Sequence, residues 1–199
     1  MISQSILKRI VGVAASLLIA SASYATVIDF EGVAAPGVQQ QVGNNYVESG
    51  YNFNNPGADW EAAVIGQVSQ NTSGSDYYTW DSPASNNPIT LTMIGGGLFS
   101  LSSLDVGSKS GSTAANFGIT GYLFGGGTVF QSVTGVDNFQ NLALGWSNLT
   151  HVEFAYSSGD FGAIDNLAVS SSVPDNGATI ALLGGTLVLF ASLRRRFVS

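Results

Sequence analysis

Between residues 26 and 172, apolar side chains recur with the two-residue period of a strand, and no segment of any length holds the period of a helix. Ile89-Thr90-Leu91-Thr92-Met93 alternates apolar and polar side chains, the pattern of a half-buried strand. Further strands are predicted over Thr26 to Phe30, Tyr46 to Phe53, Ala62 to Val68, Phe99 to Val106, Asn116 to Phe124, Thr128 to Val133, Phe139 to Leu144, Leu149 to Tyr156 and Phe161 to Val169. Turn formers separate them: Asn54-Asn55-Pro56-Gly57, Gly95-Gly96-Gly97, Ser110-Gly111-Ser112, Gly125-Gly126-Gly127 and Ser157-Ser158-Gly159-Asp160. About ten strands without helices or βαβ spacing predict an all-β protein, two antiparallel sheets packed as a sandwich of jelly-roll type. One strand changes phase, with Phe99 and Leu101 on one parity and Leu104 and Val106 on the other. A bulge at Ser102-Ser103 would return both pairs to the core.

Charge narrows the partners. Only 10% of the 199 residues are charged, and residues 26–172 carry twelve carboxylates against the single Lys109, a formal charge of −11. A field of that sign repels nucleic acid and favours divalent cations. The absence of cysteine excludes disulfides, thiolate metal sites and thiol nucleophiles, and one histidine excludes a His-rich metal cluster.

The two ends read as addresses. Lys8 and Arg9 precede an uncharged stretch, Ile10 to Ala20, and Ser23-Tyr24-Ala25. A basic region, a short apolar region and small residues before the cut describe a secretory signal peptide at 1–25. At the other end, residues 177–193 form an apolar run of about the minimum length that crosses a bilayer. Arg194, Arg195 and Arg196 follow it and hold that end on the cytoplasmic side. The domain expectation is therefore 1–25 leader, 26–172 sandwich and 173–199 tail, with both ends agreeing on one topology.

The tail, Val173-Pro174-Asp175-Asn176-Gly177-Ala178-Thr179 followed by an apolar helix and an arginine cluster, resembles the PEP-CTERM sorting signal in its Val-Pro-Asp-x-Gly variant. Pro174 and Gly177 keep the motif non-helical and accessible. The resemblance implies Val173, Pro174, Asp175, Gly177, Thr179 and Arg194–Arg196 as the recognised elements. It also implies an exosortase, a membrane-embedded cysteine transpeptidase-like enzyme, as processing partner. The inner membrane would hold the precursor, and the destination would be the surface or exopolymer matrix of a Gram-negative bacterium. Asp175 stands where the commonest form of the motif has Glu, with the acidic character kept.

Within the body, Asp29-Phe30-Glu31-Gly32 and Ile164-Asp165-Asn166-Leu167 would meet if the first and last strands are neighbours. That pairing resembles jelly-roll carbohydrate-binding modules, which implies a structural calcium held by Glu31 and Asp165; no other cofactor is required. Oxygen ligands alone suit calcium. Tyr77, Tyr78 and Trp80 form the densest aromatic group, a candidate platform for stacking sugar rings; Trp60 and Trp146 are looser candidates, and Trp146 suits core packing better. Asp59 and Glu61 flank Trp60, the one carboxylate pair worth testing for glycoside hydrolysis. Along Leu149 to Tyr156, Val152 and Phe154 point inward, which turns His151 and Glu153 outward together. No nucleophile elbow or phosphate loop is present. The expectation is a non-enzymatic, exported structural or adhesive protein of the envelope or biofilm matrix. A polysaccharide-binding module is the first alternative and a secreted hydrolase the second.

Overall fold

The computed structural model describes residues 25–36, 38–56, 64–66, 76–80, 88–108, 114–157 and 162–172. The leader before Ala25, the tail 173–199 with its expected membrane helix and arginines, and the Asp59-Trp60-Glu61 stretch lie outside the described residues. Within them the strands are β1 (Ala25–Ile28), β2 (Gln40–Gln41), β3 (Asn45–Glu48), β4 (Tyr51–Asn54), β5 (Val64–Ile65), β6 (Tyr78–Trp80), β7 (Ile89–Met93), β8 (Leu98–Ser108), β9 (Ala115–Leu123), β10 (Thr128–Val136), β11 (Gln140–Ser157) and β12 (Gly162–Ser172). No helix occurs among the described residues.

All pairings are antiparallel, and two sheets share one strand. The first runs β2-β5-β6-β12-β8 and continues into the first half of β11. In it β1 pairs with the later part of β12, Ala25 opposite Ser170 and Ile28 opposite Leu167. The second sheet runs β3-β4-β7, then the second half of β11, then β9 and β10. β11 crosses between the sheets at Gly145 and Asn148, whose φ angles are +65° and +58°. Its pairing with β8 shifts register on both sides of Trp146. Left-handed residues and bulges let one strand bend through a corner without losing its ladder. The fold is a jelly-roll-like β-sandwich.

The core lies between the sheets. Ile28, Leu101, Leu104, Val106, Ile164, Leu167 and Val169 come from the first sheet, and Phe53, Leu91, Ile119, Val152 and Phe154 from the second; all are buried. Burying each such side chain contributes about 1.5–3 kcal/mol before entropy is counted. The phase change in β8 occurs as expected: Ser103 pairs with Ala168 and Leu101 with Val169, so Ser102 is the extra residue and stays exposed. Two expectations need correction. The single strand over Tyr46 to Phe53 is a hairpin, because Ser49 and Gly50 take left-handed φ angles of +50° and +83° and reverse the chain. The separate strands over Phe139 to Leu144 and Leu149 to Tyr156 are one strand, β11.

Candidate functional site

The junction where β1 gives way to β6 along β12 brings the terminal acidic groups to one corner. Phe30 and Glu31 follow directly on Ile28, which pairs with Leu167; Asp76 and Tyr77 precede Tyr78, which pairs with Ile164. The neighbouring first and last strands are thus a fact of the fold. Glu31 Oε1 accepts the Asp76 N–H at 3.2 Å, and Asp76 Oδ2 accepts the Ala34 N–H at 3.3 Å. Asp165 is fully buried, and its Oδ1 accepts the Asn166 N–H at 2.8 Å. Asn166, left-handed at φ +49°, donates Nδ2 to Asp105 Oδ2 at 2.9 Å, while Asn141 donates to the other oxygen of Asp105 at 2.8 Å. Among the described residues no group of three or more His, Asp or Glu side chains converges as metal ligands do. The corner is a hydrogen-bonded brace in which Glu31 and Asp165 each give one oxygen to a backbone N–H.

Tyr77, Tyr78 and Trp80 do not form an exposed platform. Their relative exposures are 0%, 0% and 1%, because β6 is an interior strand of the first sheet, with β5 on one side and β12 on the other. Tyr78 and Trp80 point between the sheets, Tyr78 stacking on Phe53 at 5.4 Å and Trp80 meeting Tyr156 edge-on at 5.5 Å. Tyr77 points to the other face and packs on Phe139 at 5.1 Å, over Gly107, where a Cβ would lie 2.9 Å from that ring. Tyr78 Oη and Trp80 Nε1 have no hydrogen-bond partner among the described residues. Burial pushes the Tyr78 hydroxyl well above its ordinary pKa. Trp146 is partly buried against the core, as its sequence context suggests.

The exposed chemistry sits on the outer face of the second sheet. Register places two rows across all six strands. One holds Val47, Asn52, Thr92, His151, Tyr122 and Thr128; the other holds Asn45, Asn54, Thr90, Glu153, Thr120 and Phe130. Their inward neighbours are core residues, so these side chains face solvent. His151 and Tyr122 stack at 4.0 Å with an interplanar angle of 11°. Tyr122 Oη donates to Glu153 Oε2 at 2.8 Å, and that hydrogen bond, ahead of desolvation, raises the tyrosine's pKa. Thr150 Oγ1 lies 3.1 Å from His151 Nδ1 and donates to the Tyr122 carbonyl at 3.1 Å. Asn54 donates to Asn45 Oδ1 at 2.7 Å. Phe130 is 64% exposed, and its ring overlies Gly118.

His151 and Glu153 therefore point outward as expected, but each acts on Tyr122. The sequence reading missed Tyr122 and Phe130. Alternation along β9 and β10 turns both outward, yet only the pairing register brings Tyr122 beside His151.

The solved structures similar to this chain include three β proteins. The K2 cleaved adhesin domain of Lys-gingipain aligns with a TM-score of 0.45 at 10% identity, over 75% of this chain and 100% of that one. A family 29 carbohydrate binding module gives 0.41 at 13%, over 75% and 89%. The CBM22-1 xylan-binding domain from Paenibacillus barcinonensis Xyn10C gives 0.41 at 12%, over 76% and 97%. No curated protein sequence matches the chain significantly. Residues 172–197 match the VPDSG-CTERM motif, with Asn176 where the motif's name has serine; it is an exosortase-type C-terminal sorting signal, and it implies export to the cell surface.

Proposed function

We propose that this exported protein is a non-enzymatic adhesive component of the envelope or exopolymer matrix, and that it holds polysaccharide on the outer face of its second sheet. The observation that carries the reading is the Tyr122–His151 stack with Glu153 on an open, six-stranded face. Flat rings offer apolar surface to the C–H face of a sugar, while Asn, Thr and Glu side chains on the same rows supply donors and acceptors for its hydroxyls. The twelve carboxylates of the body favour a neutral or cationic polymer over a polyanionic one. A leader peptide, transit of the inner membrane, processing by an exosortase and release into a Gram-negative biofilm matrix complete the route.

Affinity electrophoresis through gels containing neutral polysaccharides tests the adhesive reading. Tyr122→Ala should weaken retardation about tenfold, the equivalent of ~1.4 kcal/mol, with Trp80→Phe close to the parent. Retardation that is unchanged by Tyr122→Ala, or absent across the whole panel, overturns it. The hydrolase alternative requires turnover that disappears in Asp59→Asn or Glu61→Gln.

A further inference from the structure

Two connections of the sandwich share one pattern: Met93-Ile94-Gly95-Gly96-Gly97 carries the chain from β7 in the second sheet to β8 in the first, and Leu123-Phe124-Gly125-Gly126-Gly127 closes the β9–β10 hairpin. Gly96 N donates to the Met93 carbonyl and Gly126 N to the Leu123 carbonyl, both at 3.1 Å. Gly95 and Gly125 have φ of +85° and +91°, the third-position signature of a type II turn. Ile94 and Phe124 thus occupy the second position of matching turns, where polar residues are usual. They are 53% and 69% exposed. Each is anchored to a neighbouring turn, Ile94 N donating to the Gly50 carbonyl at 2.9 Å and Phe124 N to the Asn148 carbonyl at 2.8 Å. The four turns, 49–50, 94–97, 124–127 and 145–148, contain no charged residue on a body of charge −11.

The chain leaves the body at this same end. Ser172 pairs with Leu98, the residue that closes the first glycine turn, and Ala25 pairs with Ser170. Leu123 and Phe99 both pair with Leu149, which sets the second glycine turn level with the first. From Ser172 only residues 173–176 precede the apolar run at 177. Four extended residues reach at most about 14 Å, so a run inserted in the bilayer draws this end of the sandwich to the headgroup layer.

We propose that Ile94 and Phe124 are paired anchors that seat the body on the bilayer holding its own tail. The occupant follows from the exit of the chain, the short tether and the lack of charged residues in the four turns. The proposal rests on the apolar run 177–193 lying in the membrane, and it is independent of polysaccharide binding.

The chain contains no cysteine, so single-cysteine variants of the full-length protein can carry an environment-sensitive fluorophore at Ile94→Cys, Phe124→Cys, Phe130→Cys or Leu183→Cys. In phosphatidylcholine vesicles, labels at 94 and 124 should shift to the blue and be quenched by nitroxide-bearing lipid. The label at 130, as exposed but on the side of the sheet, should do neither; the label at 183 reports insertion of the tail. Labels at 94 and 124 that match the one at 130 while 183 is quenched overturn the docking alone. An unquenched label at 183 overturns the tether and the proposal with it. Shielding at 94 and 124 without vesicles, growing with protein concentration, assigns the pair to a second copy of the chain and overturns the bilayer.

Discussion

Phe30 tests how tightly the β1 corner is determined by packing. It is fully buried yet left-handed, with φ of +56°, a conformation that costs a bulky residue roughly 1–2 kcal/mol. It persists because the ring is enclosed by Phe53 at 5.4 Å, Tyr78 at 5.6 Å and Tyr46 at 6.0 Å. Phe30→Ala removes those contacts and keeps the backbone strain, so it should cost about 3–5 kcal/mol. Phe30→Gly removes the same contacts and releases the strain. Glycine is ordinarily the worse replacement by about 0.5–1 kcal/mol; here it should be the better by ~1 kcal/mol. Urea titration followed by tryptophan fluorescence reads both effects. With an m value of about 2 kcal/mol/M, a 4 kcal/mol loss moves the midpoint by about 2 M. A glycine variant less stable than the alanine variant, or an alanine variant within about 1 kcal/mol of the parent, refutes the reasoning.

Other perturbations follow from single contacts. A Cβ at Gly121 would lie 2.8 Å from Leu149 Cδ2 and Val129 Cγ2 and 2.9 Å from Trp146 Cε3, so Gly121→Ala should lose about 1–3 kcal/mol by overpacking, measured by thermal melting. Tyr78→Phe deletes a buried hydroxyl without a partner among the described residues and should leave stability equal or raised by about 1 kcal/mol; a clear loss in urea contradicts it. Tyr46, Tyr51, Tyr78 and Tyr122 all have pKa values raised above the ordinary 10.0. The folded state therefore holds these protons more tightly than the unfolded one. Its stability is complete below pH 10 and declines above it as the unfolded tyrosines ionise, so melting temperatures flat to pH 11.5 would contradict the shifts. Calcium shared by Glu31 and Asp165 would raise the melting temperature in millimolar calcium and lower it in chelator; indifference to both leaves the hydrogen-bonded brace alone at that corner.

Strand periodicity is a local signal, and where one face of a strand is wet it reads through. Ile89 to Met93, the bulge at Ser102 and the outward pair His151 and Glu153 were all legible for that reason. Tyr77 to Trp80 was not. That strand alternates as well, but both of its faces are covered, Tyr78 and Trp80 by the core and Tyr77 by Phe139, so three aromatic side chains within four residues look like a loop platform. β11 was split in two because Gly145-Trp146-Ser147-Asn148 has the composition of a turn. Pairing to β8 on one flank and to β7 and β9 on the other carries the strand through it. The outer face of the second sheet was least legible of all. Tyr122 and His151 belong to strands separated by β10 in sequence, and their contact exists only after β9 and β11 have found their register.

That face also bears on whether the protein holds a polymer or cuts one. Glycoside hydrolysis needs two carboxyl groups about 5–10 Å apart across the scissile bond, and the two outward rows contain one, Glu153. Its Oε2 already accepts the Tyr122 hydroxyl, an arrangement that fixes the aromatic ring rather than poising a proton for transfer. The same two rows otherwise offer amides and hydroxyls, groups suited to hydrogen-bonding the hydroxyls of a sugar. Glu153→Gln keeps an acceptor for Tyr122 and removes only the charge, so a binding face should lose little retardation on a neutral polymer. Glu153→Ala frees the ring to turn and should lose as much as Tyr122→Ala. A face that catalysed would erase that ranking in its turnover, since the amide would be as dead as the alanine.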